Sequence, residues 1–299
     1  MTEPIEIMAG TSHMNDVLFT ADSKTLISAG MDNLIKLWSV PDFELVGEIA
    51  GHENSVNMLS LSPIGDLLVT GSTDKTVRIW DFPSGNQREI LEIKASGAHL
   101  SPNGKWLAAT ADARFTMFDF ETLEVVWEMK TKKREIFALK FSPLKNTLTV
   151  AGMKSPEVRF LDPDTGESQR DVYAHDPFVM SFDYTPDEVH FASTGYDGML
   201  KIWDAKKGTL LHTYSLDAKG LLAVSTAPDN DTVAVSLDNQ LLLFSIKEAA
   251  LKKKIELKPK GVYQTDFSPD GRWLALASAD KRVRVWDLKV LSVAWGDYD

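Results

Sequence analysis

Short hydrophobic runs recur along the chain, each ending in a bulky residue. These anchors are Trp38, Trp80, Phe118, Leu161, Trp203, Phe244 and Trp286, spaced by 42, 38, 43, 42, 41 and 42 residues. An Asp follows five of them, and Ser39 and Ser245 follow the other two. Within the second unit, Ser55 to Leu61 reads as a mostly apolar strand, Pro63-Ile64-Gly65-Asp66 as a turn, and Leu67 to Ser72 as a second strand. Thr73 to Thr76 then turns tightly into Val77 to Trp80, and Arg88 to Ile93 makes a fourth strand. Short strands punctuated by Pro, Gly and Asp turns form an all-β pattern. Runs such as Leu67-Leu68-Val69 and Leu241 to Phe244 are apolar at consecutive positions, which requires burial on both faces of the sheet.

A radial stack of twisted sheets supplies that double burial, because each sheet is covered by its two neighbours. A repeat near this length is the mark of a four-stranded propeller blade. The first turn recurs as Ser101-Pro102-Asn103-Gly104, Ser142-Pro143-Leu144-Lys145, Thr185-Pro186-Asp187-Glu188, Ala227-Pro228-Asp229-Asn230 and Ser268-Pro269-Asp270-Gly271. Proline suits the second position of such a turn because its fixed φ already matches. The first unit has Thr20-Ala21-Asp22-Ser23 instead.

Two units carry a polar constellation at identical offsets: His52, Thr70, Asp74 and Trp80, then His175, Ser193, Asp197 and Trp203. A turn Asp can accept from the His, and a hydroxyl can link the His to the indole N–H. On these residues the chain resembles the WD40-repeat family. The resemblance implies an all-β, seven-bladed WD40-type β-propeller of four-stranded antiparallel blades, a single domain spanning residues 1–299. The other units depart from the pattern. Unit one keeps Ser28, Asp32 and Trp38 but has Gly10 at the His position, and unit seven has Leu276 for the hydroxyl and Lys258 for the His. Units three, four and six lack the Trp, and unit four has Ser155 for the turn Asp. Two segments compete for the outer strand of the last blade. Glu6-Ile7 aligns with Glu48-Ile49, and Leu291 to Trp295 aligns with Leu123 to Trp127. The N-terminal segment is favoured, since an interlocked ring removes an exposed edge.

The 299 residues can bury roughly 75% of their unfolded surface, so stability needs no disulfide or metal. Cysteine is absent, which excludes thiolate catalysis and fits an intracellular, cytoplasmic protein. A net charge of −11 opposes direct binding to nucleic acid or to an anionic membrane. Basic runs remain at Lys132-Lys133-Arg134 and Lys252-Lys253-Lys254. No apolar stretch reaches the roughly 20 residues of a membrane span, and the N-terminus lacks a basic, apolar leader.

Two of the six histidines belong to the tetrads, and the others stand at no metal-ligand spacing. Phosphate loops, nucleophile elbows and His-Glu-x-x-His motifs are missing. No cofactor, metal or catalytic residue is therefore expected. The leading expectation is a non-catalytic interaction scaffold, acting as a monomer or as a subunit of a larger complex. The alternative is a propeller enzyme, or a small-ligand or metal-binding protein, that uses convergent carboxylates in the central channel.

The family resemblance implies that protein partners dock on the channel rim through short peptides or loops. Two rim positions per unit read mostly small or polar in units one to three (Asn15, Asn57, Ser96; Met31, Thr73, Ala111). Units four to seven carry Phe137, Met180, Tyr196, Leu222, Leu237 and Tyr263, a set with the apolar and aromatic character of interface hot spots. Some of these side chains can equally plug the channel or pack under a loop. Lys132, Lys133 and Arg134 would favour a partner with an acidic flank.

Overall fold

The computed structural model describes residues 3–93, 95–111, 114–130, 138–152, 155–216, 223–237, 239–257 and 261–293. Among them the chain forms seven antiparallel sheets of four strands each. In blade two the strands are Val56–Leu61, Leu67–Ser72, Val77–Asp81 and Gln87–Leu91, within two residues of the pattern read from the sequence. The first strand of each blade lies innermost. Neighbouring first strands touch all the way round, so the sheets close into a seven-bladed β-propeller.

The core is divided into seven apolar seams, each shared by two adjacent blades. Trp80 packs with Ile27, Ile35, Leu37 and Ile49 of blade one, and Trp286 packs with Leu241 and Leu243 of blade six. Every anchor residue faces the preceding blade in this way, and none is more than 6% exposed. The double burial predicted from the unalternating strands thus has a direct cause: both sheet faces are seams. In six blades the third strand bulges at its anchor, as between Ile79 and Trp80, where a bulge re-aims the side chain.

The ring closes through its N-terminal segment. Ile5–Met8 pairs antiparallel with Arg282–Asp287, with Ile5 opposite Val285 and Met8 opposite Arg282, and Ile7 is buried. Of the rival segment, Leu291 to Val293 are described and lie in the short helix Leu288–Val293, into which the chain turns after Asp287.

Polar groups on the innermost strands staple neighbouring blades. Asp16 accepts from Leu59 N (2.8 Å), Ser60 from Leu100 N (3.0 Å), Asp183 from Thr226 N (2.9 Å) and Asp266 from Phe19 N (2.8 Å). Blades three and four are joined farther out, where Trp127 Nε1 donates to Pro163 O at 2.8 Å. Glycine is needed beside that contact, since a Cβ on Gly166 would fall 2.9 Å from the Trp127 ring.

Candidate partner-binding rim and its polar locks

In blade two, Trp80 Nε1 donates to Thr70 Oγ1 at 2.9 Å, and Thr70 Oγ1 lies 2.6 Å from His52 Nε2. The hydroxyl accepts from the indole and donates to Nε2, which leaves Nδ1–H to donate to Asp74 Oδ2 at 2.7 Å. Blade five repeats the lock: Trp203 Nε1 and His175 Nε2 meet Ser193 Oγ at 2.9 and 2.8 Å, and His175 Nδ1 meets Asp197 at 2.9 Å. Burial holds both imidazoles below the usual histidine range, in the neutral form that the lock uses. Burial alone would raise Asp74, but hydrogen bonds from Thr76 and His52 outweigh it and draw the carboxyl far below the usual range.

Blades one and seven build the lock from a cation that sequence reasoning missed. In blade one, Lys36 Nζ donates to Asp32 (3.0 Å) and to Ala9 O (2.7 Å), while Trp38 still reaches Ser28 Oγ at 2.8 Å. A side chain at Gly10 has no room there, as its Cβ would sit 2.6 Å from Met14 Sδ. In blade seven, Arg284 donates to Ser278 Oγ (2.9 Å), to both oxygens of Asp280 (3.1 and 2.6 Å) and to Glu6 Oε1 (3.0 Å). With Leu276 in place of the hydroxyl, Trp286 Nε1 is buried without a partner. The missed signal was legible: Lys36, Arg78, Lys201 and Arg284 each stand four residues after a turn Asp.

The locks hold the turns that border the rim. Tyr196, just before the turn Asp of blade five, is 45% exposed, and its ring lies 4.8 Å from that of Phe178. Phe178 rests in turn on the seam between blades five and six. Met180 and Leu237, expected on the rim, are instead buried in that seam, because their neighbours there are the apolar Val224, Val235 and Leu242. They support the Phe178–Tyr196 pair from below. Tyr263 is half-buried, stacked 6.0 Å from His13 with its hydroxyl 3.3 Å from His13 Nδ1. Phe137, Leu222, Lys132, Lys133, Arg134 and Lys258 lie outside the described residues. On the polar side, Asn15 Nδ2 donates to Ser55 Oγ, Val56 O and Asn57 Oδ1.

Convergent carboxylates do occur near the axis. Lys140 Nζ meets Asp183 Oδ1 at 2.5 Å, and burial raises Asp16 and Asp266 to about 7. Burial lowers His99 to about 3. The three carboxylates are engaged as inter-blade staples, and among the described residues no group of three or more His, Cys, Asp or Glu is placed to hold a metal ion. No helix among the described residues is long and apolar enough to cross a membrane.

The repeat geometry and the locks define a WD40 propeller. The family model for the WD domain, G-beta repeat, matches residues 3–39, 43–81, 166–204 and 252–287, about half of the chain, and the chain belongs to this family. The matched segments hold the four blades that keep the Trp. Among similar proteins, Eukaryotic translation initiation factor 3 subunit I of Emericella nidulans is 25% identical over 231 residues, covering 72% of this chain and 69% of that protein. A p21-activated protein kinase-interacting protein 1-like protein of Danio rerio is 29% identical over 182 residues, 60% of this chain and 49% of its own length. Periodic tryptophan protein 2 of Arabidopsis thaliana is 26% identical over 213 residues, 67% of this chain and 23% of its own.

Proposed function

We propose that this propeller is a non-catalytic scaffold of the cytoplasm that holds a protein partner through a short peptide or loop on the channel rim. The observation that carries this reading is the Phe178–Tyr196 pair, an exposed aromatic on a partly buried one at the mouth of blade five. Such an anchor presents large contact area at low entropic cost, and the rigid seam beneath keeps it preorganised. The names of the relatives agree with work inside assemblies, one being a subunit of an initiation factor and another a kinase-interacting protein. Tyr263 extends the contact toward blade seven, and the repeat offset in the sequence assigns Phe137 and Leu222 to the same set. The charge of −11 directs the partner choice to protein and away from nucleic acid.

Affinity purification with the wild type and with Tyr196→Glu tests the proposal. A partner recovered by the wild type is expected to be lost by the variant while the Tm stays nearly unchanged, since Tyr196 lies outside the seam. Equal recovery by both proteins refutes the rim reading. The alternative, an enzyme or ligand-binding protein using the channel, has one observation in its favour, the axial Asp16, Asp183, Asp266 and Lys140. The backbone bonds that occupy those carboxylates favour a structural role for them.

A further inference from the structure

The turns between first and second strands lie at the end of each blade opposite the Asp turns, so they border the face away from the rim. One residue of this turn has a left-handed backbone in every blade, the fourth in six of them and the fifth, Asn146, in the longer turn of blade four; Gly65 (φ 73°), Gly104 (71°) and Gly271 (71°) accept this freely. Four blades place a side chain there, and three of these side chains cap the turn of the preceding blade. Ser23 Oγ accepts from Asp270 N (3.0 Å), Asn146 Oδ1 from Asn103 N (2.9 Å) and Asn230 Oδ1 from Asp187 N (2.9 Å).

The fourth, Glu188, behaves differently. It takes a φ of 57°, is 8% exposed, and its Oε2 is buried with no hydrogen-bond partner. Lys145 Nζ forms an ion pair with it at 3.7 Å, too long for a hydrogen bond. A bulky acid held in a left-handed conformation, with one buried oxygen ion-paired but given no hydrogen bond, is costly on two counts, and such costs gather at binding sites.

Glu188 lines a cleft of about 270 Å³ between blades four and five. Phe160, Tyr184 and Ala205 give it apolar walls, and Lys145, Arg170 and Lys206 give it three cations against the one carboxylate. Arg170 is fixed from behind, donating to Lys206 O and Ala205 O at 2.8 Å each with its guanidinium 4.0 Å from the Phe160 ring, and its Nε is also unpartnered. In a chain of net charge −11, a local excess of positive charge beside an unsatisfied acceptor defines what would fit. The occupant must bring an anionic group to the cations and a hydrogen-bond donor to Glu188. One acidic peptide residue brings both, through its side-chain carboxylate and its backbone N–H.

We infer that the cleft between blades four and five is a second docking site, on the face opposite the rim, for an acidic peptide segment of a partner protein.

The test uses fluorescence anisotropy at low salt with a labelled peptide Glu-Asp-Leu-Glu-Asp-Glu and its neutral counterpart Gln-Asn-Leu-Gln-Asn-Gln. Saturable binding of the acidic peptide alone is expected, weakened about tenfold or more by Lys145→Glu with Lys206→Glu. The pair Lys252→Glu and Lys254→Glu, an equal charge change on the outer strand of blade six, is expected to bind as the wild type does. Absence of saturable binding, equal binding of the neutral peptide, or an equal loss in the control pair overturns the proposal. Glu188→Gly provides a separate check. It relieves the left-handed strain and removes the buried oxygen that lacks a hydrogen bond, at the loss of one long ion pair to the exposed Lys145, so the Tm is expected to rise. A fall in Tm shows that the carboxylate already has its partner within the fold and also overturns the proposal.

Discussion

Blades two and seven face the same problem, a Trp indole and a turn Asp buried between sheets, and satisfy it with different residues. In blade two, neutral His52 bridges Thr70 and Asp74, and every polar group of the lock has a partner. In blade seven a permanent cation, Arg284, 4% exposed, bridges Ser278 and Asp280 and leaves the Trp286 indole unsatisfied. The difference follows from ring closure. Blade seven takes its outer strand from the other end of the chain, and Arg284 has a third partner there, Glu6, which a histidine could not add while holding the other two. The lock of the closing blade thus doubles as the latch of the ring.

The largest expected effect separates the two locks at their centres. Arg284→Ala leaves the half-buried Asp280 carboxylate to Ser278 and Arg282 and releases Glu6, and is expected to cost about 3 kcal/mol in urea unfolding, the low end for a pair that is only partly buried. His52→Ala in blade two is expected to cost about 1–3 kcal/mol. Hydrogen exchange at the amides of Ile5 to Met8 sharpens the contrast, since it should accelerate in the Arg284 variant alone. Equal exchange in both variants would separate the lock from the latch.

A smaller effect compares the indoles. Trp80→Phe removes a donor whose acceptor is left buried, whereas Trp286→Phe removes one that has no acceptor. The first substitution is expected to cost about 1 kcal/mol more than the second. Equal costs would mean that Trp286 finds a partner in solution.

The smallest effect sets the lock carboxylates against those near the axis. Hydrogen bonds from Arg284 and Ser278 overcome burial and hold Asp280 at about 2, so its contribution is present above the unfolded value of 3.8 and is lost as pH falls through about 2. Asp16 and Asp266 are shifted the opposite way, to about 7 from 3.8, so their contribution is complete below 3.8 and is lost as pH rises through 7. His99, lowered from 6.5 to about 3, loses its contribution only below 6.5. From pH 6.5 to 8 the axial carboxylates act without it, and stability is expected to fall by about 1 kcal/mol for each. Asp266→Asn should remove about half of that slope, and an unchanged slope would place the titration elsewhere.

Much of this architecture was legible in the sequence. The seven anchors and the two full tetrads follow from period and offset, because a repeat unit must place the same residue types at the same positions of the same sheet; period and offset left two candidates for the closing strand, and the protection of an exposed edge favoured the N-terminal one. The site was legible only in part. Tyr196 is exposed as expected, but Met180 and Leu237 turn inward, since what decides their exposure is the apolar seam that blades five and six form together. Phe178 was missed because it belongs to the connection into blade five, where no repeat position marks it.

The sequence by itself determined the number of blades and the residues of the tetrads, both properties of local strand and turn chemistry repeated at a fixed period, and it narrowed the closing strand to two segments. Only the tertiary structure decided which polar groups meet across a seam: Arg284 with Glu6, Asp266 with Phe19 N, and Glu188 with Lys145 at ion-pair distance but with no hydrogen-bond donor to its Oε2. Such pairings join residues far apart in the chain, and no spacing along one strand encodes the neighbour that a closed ring brings beside it.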